Sequence, residues 1–370
     1  MRVLVVNAGS SSVKLRLLDG SEVVGRTDLG APSGLDGGAV RSAINSLVSS
    51  SGVSGVDAVG HRVVHGGQRF TRPALIDDGV RAALESLVDL APLHQPASLD
   101  GIDAVRAALP GVPSVACFDT AFHATLPVEA ATYAVPERWR SRYGIRRYGF
   151  HGLSHAYASR RAPEVLGRPT DGLRLVNCHL GAGASLCAVR SGQSVDTTMG
   201  FTPLEGLVMA TRSGTVDPGL VLWLQERQGL PAREVSEALE HRSGLTGLSG
   251  TADMREVLAR MADGDEQAVL AFRVYVYRLR AAIAAMVAAL SGVDVVSFTG
   301  GVGEAAPAVR EGALAGLEYL GVAVNPGQNE AARGDANISA PGSPSGVAVV
   351  TAREDLEIAA QVRTVLSGHP

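Results

Sequence analysis

The sequence has little cysteine, few aromatic residues, no long hydrophobic run and no excess of either charge. Cys117, Cys178 and Cys187 are odd in number and lie in apolar stretches without metal-type spacing. A disulfide framework or a zinc site is therefore excluded, and the three read as buried free thiols in a reducing compartment. The longest apolar stretch, Ala281–Leu290, is half a membrane span and follows Arg278 and Arg280, so no membrane segment is expected. The apolar run at the N-terminus stops at Asn7, short of what a secretory signal needs. With 33 basic against 37 acidic residues, a formal net charge of −4, no basic face is available to grip a phosphate backbone. These absences read as a soluble cytoplasmic protein with small-molecule partners, no nucleic acid and no membrane.

What is present is a chain of 370 residues that is 46% hydrophobic, enough for two or three globular units and against extended disorder. Val3–Val6 is a short β-branched run. It is followed by the small-residue turn Asn7–Ser12 and by alternation over Val13, Leu15 and Leu17, which predicts strand, turn, strand. The same grammar returns at Leu173–Leu180, turn Gly181–Ser185, then Leu186–Val189. Aligning Gly9 with Gly181 gives an offset of 172 residues, close to half the chain, which points to two similar domains rather than a short repeat. Between and after these hairpins the pattern predicts strands at Ala58–Val64, Val112–Phe118, Val293–Phe298 and Gly346–Val350. Helices are predicted at Asp78–Leu90, Pro96–Leu109, from Pro218, over Pro231–Gly244, over Glu266–Leu290 and near Glu354. Strands alternating with helices predict an α/β architecture. The Gly/Ala/Pro/Ser-rich stretch Gly327–Pro344 reads as a surface loop.

Three glycine-rich turns follow short strands: Asn7–Ser12, Gly181–Ser185 and Gly300–Gly303. Glycine lets backbone N–H groups converge on an anion, although none of the three matches a P-loop or a dinucleotide fingerprint. Polar residues cluster where strands end: His61, Arg62 and His65; Asp119 and His123; His151 and His155; Arg212 and Asp217. Any one of them alone reads as packing or a surface charge. Together, beside phosphate-type turns, they are the parts of an anion-transfer site.

Eight segments carry a resemblance. Asn7-Ala-Gly-Ser-Ser-Ser-Val-Lys14, Gly60-His-Arg-Val-Val-His-Gly-Gly67, Ala91-Pro-Leu-His94, Phe118-Asp-Thr-Ala-Phe-His123, Arg147-Tyr-Gly-Phe-His151-Gly, Met199-Gly-Phe-Thr-Pro-Leu-Glu-Gly-Leu-Val-Met209, Thr211-Arg-Ser-Gly214 and Phe298-Thr-Gly-Gly-Val-Gly-Glu304 resemble the acetate kinase family. The likeness runs in order from residue 3 to about residue 360. It implies the fold shared with sugar kinases, Hsp70 and actin: two ribonuclease-H-like domains around an interdomain nucleotide cleft. The boundaries expected are 1–122 plus 356–370, and 123–355. It also implies a homodimer and reversible phosphoryl transfer from ATP to acetate, giving acetyl phosphate and ADP with Mg²⁺ or Mn²⁺.

By motif, the resemblance assigns Arg62 and Arg212 to acetate and the transferring phosphoryl group, His151 to phosphoryl oxygens, and Asp119 to the catalytic aspartate. Val64, Leu93, Phe150 and Pro203 fall on the pocket for the acetate methyl. Ser10, Ser12 and Lys14 fall on the first phosphate turn, and His179, Gly181 and Gly183 on the second. Asp253, Met254, Arg255, Gly301, Val302, Gly303 and Ala305 fall on the adenosine side. Asn7 and Glu354 are expected at the metal. Acetate kinases usually carry Asn where this chain has Ala182 and Ala305, which bears on donor affinity and identity. Propionate or butyrate kinase and a diphosphate-dependent acetate kinase stay open as alternatives. An actin- or Hsp70-like ATP-gated binding module has no use for arginines and a histidine around an acetate-sized pocket.

Overall fold

The computed structural model describes residues 1–8, 13–30, 37–91 and 95–368. The chain divides into two compact units, one formed by residues 1–124, 150–157 and 353–370, the other by 125–149 and 158–352. The expected boundaries put the crossings near 122 and 355. Here the first unit also takes in 150–157, because Leu153 is buried in its apolar cluster with Val5, Val115 and Ile358.

The first unit holds six strands: β1 (Arg2–Ala8), β2 (Val13–Asp19), β3 (Glu22–Leu29), β4 (Ala58–Val63), β5 (Ala74–Leu75) and β6 (Ser114–Phe118), in the order β3-β2-β1-β4-β6-β5. β1, β2 and β3 are an antiparallel meander, and β4 and β6 continue from β1 in parallel. The second unit repeats this with β7 (Arg174–Leu180), β8 (Ala184–Arg190), β9 (Gln193–Thr197), β10 (Val295–Thr299), β11 (Ala336–Asn337) and β12 (Gly346–Val349), in the order β11-β12-β10-β7-β8-β9. β7, β8 and β9 form the meander, and β10 and β12 run parallel to β7.

The duplication extends to single side chains. Arg2 opens β1 and binds Asp57 just before β4, with its backbone N at 2.7 Å from Oδ2 and its Nη2 at 2.5 Å from Oδ1. Arg174, 172 residues on, opens β7 and binds Asp294 just before β10 at 2.8 and 2.7 Å. Each aspartate returns its own N–H to the arginine carbonyl. Being near the surface, such pairs add little to stability. Their use is to fix the register of neighbouring parallel strands at the same place in both sheets.

The core is aliphatic, as the scarcity of aromatics requires. Both faces of the parallel strands are covered, so β1, β4, β6 and β10 are buried almost end to end. The last helix, Glu354–Leu366, packs Ile358, Ala359 and Val362 against Val3, Val5, Ala58, Val115 and Cys117 in the first unit. Gly60 in β4 permits this, since a Cβ there would collide with Ile358 Cγ2 and Val362 Cγ2. The long helix Glu266–Leu290 matches its expected span. Asp265 caps it by accepting from Gln267 N and Ala268 N, and it stops at Ser291 in the left-handed region. The three cysteines are buried and unbridged, and burial pushes the Cys187 thiol up to about 12. Among the described residues no helix is long and apolar enough to cross a membrane.

Two expectations are corrected. The helix read over Asp78–Leu90 is an α-helix only over Asp78–Glu85, followed by a 3₁₀ turn at Val88–Leu90. The stretch read as a loop over Gly327–Pro344 contains the helix Pro326–Ala331 and strand β11. Asn325 caps that helix through Gln328 N, and Asn329 is buried against Arg310, a distant partner that local composition does not report.

Buried histidines set the acid limit of stability. Burial pushes His61 down to about 3 and His65 to about 4, so both are neutral in the folded state at pH 5 while their unfolded counterparts take up protons below about 6.5. The unfolded chain then binds more protons, and stability falls as pH drops from about 6.5. Two such groups predict a loss of about 2 kcal/mol between pH 6 and pH 5, read by urea unfolding at fixed pH. The paired carboxylates, such as Asp57 held to about 2 by its hydrogen bonds from Arg2, lose their contribution only at lower pH. His61→Phe is expected to remove about half of the slope; an unchanged slope would assign it to other groups.

Candidate active site

The C-terminal ends of parallel strands are where an α/β sheet presents side chains to ligands. In the first unit, Asn7 stands near the end of β1, Arg62 near the end of β4 and Asp119 immediately after β6. The structure brings these three together. Arg62 Nη2 donates to Asp119 Oδ2 at 2.6 Å, and its Nε lies 3.1 and 3.3 Å from the two carboxylate oxygens, a forked pair. Its Nη1 donates to Asn7 Oδ1 at 3.2 Å. Glu354, in the first turn of the last helix, places Oε2 4.0 Å from Arg62 Nε. Asp119 is buried, whereas Arg62 and Glu354 keep about a quarter of their side-chain surface open. Burial by itself lowers the Arg62 pKa, but the Asp119 and Glu354 carboxylates more than reverse this, so the guanidinium is held firmly charged. Lys14 is opposite Asn7 in the β1–β2 register and is the only lysine of the chain.

His151 joins this unit through a strained backbone, with φ of +57°. A non-glycine residue there costs energy and marks a position that surrounding structure over-determines. That structure is on both sides of it. Gly152 N donates to Asp119 O at 2.9 Å, and His123 Nε2 bonds Phe150 O at 3.0 Å. His151 O accepts from His155 N, starting the helix Gly152–Leu166. The rings of His151 and His155, and of His155 and His123, lie 6.5 and 5.6 Å apart. Phe150 and Val64 are buried in the same unit. Ser10, Ser12 and Leu93 lie outside the described residues.

In the second unit, Arg212 lies half-buried with Nε 3.6 Å from Glu240 Oε2, and Nη1 donates to Pro203 O at 3.4 Å. Burial pushes this guanidinium down and Glu240 partly restores it. The same unit contains a cavity of about 470 Å³ lined by Gly181, Asp253, Met254, Arg255, Gly301, Val302 and Ala305, all expected on the nucleotide side except that Gly181 belongs to the second phosphate turn. Ala182, the other position where an amide is usual, lines it too. His179, Gly183 and Gly303 do not. Gly303 is buried, packed against Leu180 and Phe298. Asp253 is occupied as a helix cap, accepting from Arg255 N and forming a forked pair with its guanidinium.

With this geometry in place, the comparison with known proteins is direct. A model of the acetokinase family matches residues 26–360. The chain belongs to the acetokinase family. It is 46% identical over 402 residues to the acetate kinase of Streptomyces coelicolor, covering 100% of this chain and 98% of that one. The crystal structure of Porphyromonas gingivalis acetate kinase superposes with a TM-score of 0.91 at 39% identity, covering 99% of both chains. That of a propionate kinase from Francisella tularensis gives 0.90 at 34%, covering 98% and 99%. The acetokinase assignment carries with it a kinase activity, ATP as substrate and general use of a divalent metal, and the α/β fold is the two-domain actin-like ATPase type.

Sequence reasoning did not single out Ala210, Leu245, Leu258 and Tyr275 as lining the cavity. Leu258 alone had a signal, one helical turn after Met254. The other three face the cavity because of tertiary packing. No cluster of three or more His, Cys, Asp or Glu side chains suited to a metal occurs among the described residues. Mg²⁺ does not require one: it keeps several waters and takes one or two carboxylates plus substrate phosphates. The hard oxygens of Asn7 and Glu354, both within 4.0 Å of the Arg62 guanidinium, fit that demand.

Proposed function

We propose that this acetokinase catalyses reversible transfer of the γ-phosphoryl group of ATP to the carboxylate of acetate, giving acetyl phosphate and ADP. The observation that carries the reading is the Arg62 guanidinium, pinned by Asp119 and Asn7 at the strand ends. Acetate is already ionised at pH 7, so it needs no strong base. The obstacle is repulsion. A carboxylate about 4 Å from a terminal phosphate of two negative charges is opposed by about 8 kcal/mol at an effective dielectric of 20. Arg62 and Arg212 offset that repulsion and follow the charge as the new C–O–P bond forms and the bond to ADP breaks. His151 donates to phosphoryl oxygens, Lys14 serves the phosphates, and Asp119 orients Arg62 rather than removing a proton. On this reading the acetate methyl group falls to Val64, Leu93, Phe150 and Pro203, as the resemblance implies. Asn7 and Glu354 would hold Mg²⁺ or Mn²⁺, which would supply further positive charge to the phosphates. We infer a cytoplasmic homodimer, tested by light scattering on the purified protein.

The likeness to a propionate kinase supports overlap in acyl chain, since one methylene is worth only about 1–3 kcal/mol in a pocket. Trapping acyl phosphate with hydroxylamine, using acetate, propionate and butyrate against ATP, GTP and diphosphate, tests acceptor and donor together. Acetate with ATP is expected to give the most product; no product from acetate with any donor sinks the proposal. Asp119→Asn is expected to lower kcat with a shifted magnesium dependence. Near-full turnover at unchanged magnesium would remove Asp119 from the mechanism.

A further inference from the structure

The second unit contains a polar network to which none of the assigned roles refers. Arg147 Nη2 donates to Glu205 Oε1 at 2.8 Å, while its Nη1 faces the carbonyls of Thr197, Thr198 and Met199 at 3.0 to 3.1 Å. The Tyr133 hydroxyl donates to Glu205 Oε2 and accepts from Phe201 N at 3.0 Å. The Arg147 guanidinium lies over the Tyr133 ring, 5.5 Å from its centre. Gly200 O accepts from Tyr148 N and Gly149 N, and a Cβ on Gly200 would collide with both Glu205 Oε2 and the Tyr133 hydroxyl. The peptide units from 197 to 201 are thus held by two side chains, Arg147 and Tyr133, and Glu205 bridges the two.

This clamped loop carries Pro203, whose carbonyl accepts from Arg212 Nη1, and continues to Gly206, which exchanges bonds with Thr215 on the far side of Arg212. Burial and the bond to Glu205 hold the Tyr133 phenol protonated, as its donor role requires. We propose that Glu205, gripped by Tyr133 and Arg147, is a positioning residue that sets where Pro203 and Arg212 stand and so determines acetate affinity and acyl-chain selection. This rests on the reading that Pro203 and Arg212 serve the acceptor. Glu205 touches neither substrate nor reacting atoms in this scheme; it acts through the loop.

The test compares wild type with Glu205→Ala, Glu205→Gln and Tyr133→Phe. Loss of a charged hydrogen-bonded hub predicts that E205A raises the acetate KM about tenfold and shifts the propionate-to-acetate ratio of kcat/KM about threefold, with the ATP KM within about twofold. E205Q keeps an acceptor for Arg147 and is expected to recover most of the acetate KM. Asp294→Asn, which breaks an ion pair away from this loop, is the control: it lowers Tm and leaves the ratio unchanged. An E205A protein with reduced Tm but wild-type acetate KM and ratio overturns the inference. Should E205A fail to fold, Y133F decides, because it removes a single hydroxyl; an unchanged acetate KM there overturns it equally. A wild-type protein that makes no hydroxamate from acetate overturns the functional reading and this inference with it.

Discussion

Arg62→Ala is expected to lower kcat/KM at least about a hundredfold and to destabilise the fold, and the two losses are separable. The guanidinium is both the cation at the strand ends and the partner of Asp119, which is only 2% exposed. Removing it leaves a buried carboxylate without its forked donor, a change that costs about 3–5 kcal/mol in comparable pairs. A drop in activity alone would therefore be ambiguous. The double variant Arg62→Ala/Asp119→Ala removes both charges, so its stability should return most of the way toward wild type while turnover stays low. Arg62→Lys should keep the charge but not the fork, because one ammonium cannot face both carboxylate oxygens and Asn7 in a plane. It is expected to recover stability better than activity. Turnover in R62A near wild type would place the anion site elsewhere. Arg212→Ala gives a contrast: its pairing with Glu240 is looser, at 3.6 Å, so a comparable loss of turnover should come with a smaller loss of stability.

The duplicated fold was legible because strand, turn, strand is a local pattern, and its return after 172 residues needs no tertiary information. The structure repeats even the arginine–aspartate register lock at that interval. What local pattern could not supply was contact at a distance. Residues 150–157 sit between two segments of the second unit in sequence, yet Leu153 completes the apolar cluster of the first. Pro326–Ala331 has the composition of a loop and is exposed except at Asn329, whose buried bonds with Arg310 and with Pro307 O come from segments a local window does not contain. At the site, the residue types at strand ends named Arg62, Asp119 and His151 as candidates. The meeting of Arg62 with Asp119 and Asn7 follows from β1, β4 and β6 lying side by side, and the positive φ at His151 lies between the bonds of Gly152 N to Asp119 O and of Phe150 O to His123. Arg147 and Glu205 lay within two of the quoted motifs and Tyr133 in none, and nothing in either motif says that these segments meet.

The second large effect is expected at Arg310, a residue with no place in the chemistry. It is 1% exposed and bonds only neutral groups among the described residues: Asn329 Oδ1 and O at 2.7 Å each, Gly303 O at 2.8 Å and Glu304 O at 2.9 Å. Burial pushes its pKa down to about 10, which still leaves it charged at pH 7. The Gly303 and Glu304 carbonyls end the helix Gly300–Ala305, whose residues Gly301, Val302 and Ala305 line the cavity. At the other end of the same turn, Glu304 Oε1 accepts from Gly300 N and Ala352 N, tying the cavity wall to the segment leading to Glu354. Arg310→Ala orphans four acceptors and opens a void, offset in part by no longer burying a charge. The net expectation is a stability loss of about 3 kcal/mol or more and an ATP KM raised about tenfold, with the acetate KM little changed. Arg310→Met separates packing from hydrogen bonding, since it refills the volume without donors. If R310M binds ATP and unfolds like wild type, the guanidinium does not hold the cavity wall; if it resembles R310A in both, the carbonyl bonds hold that wall in place.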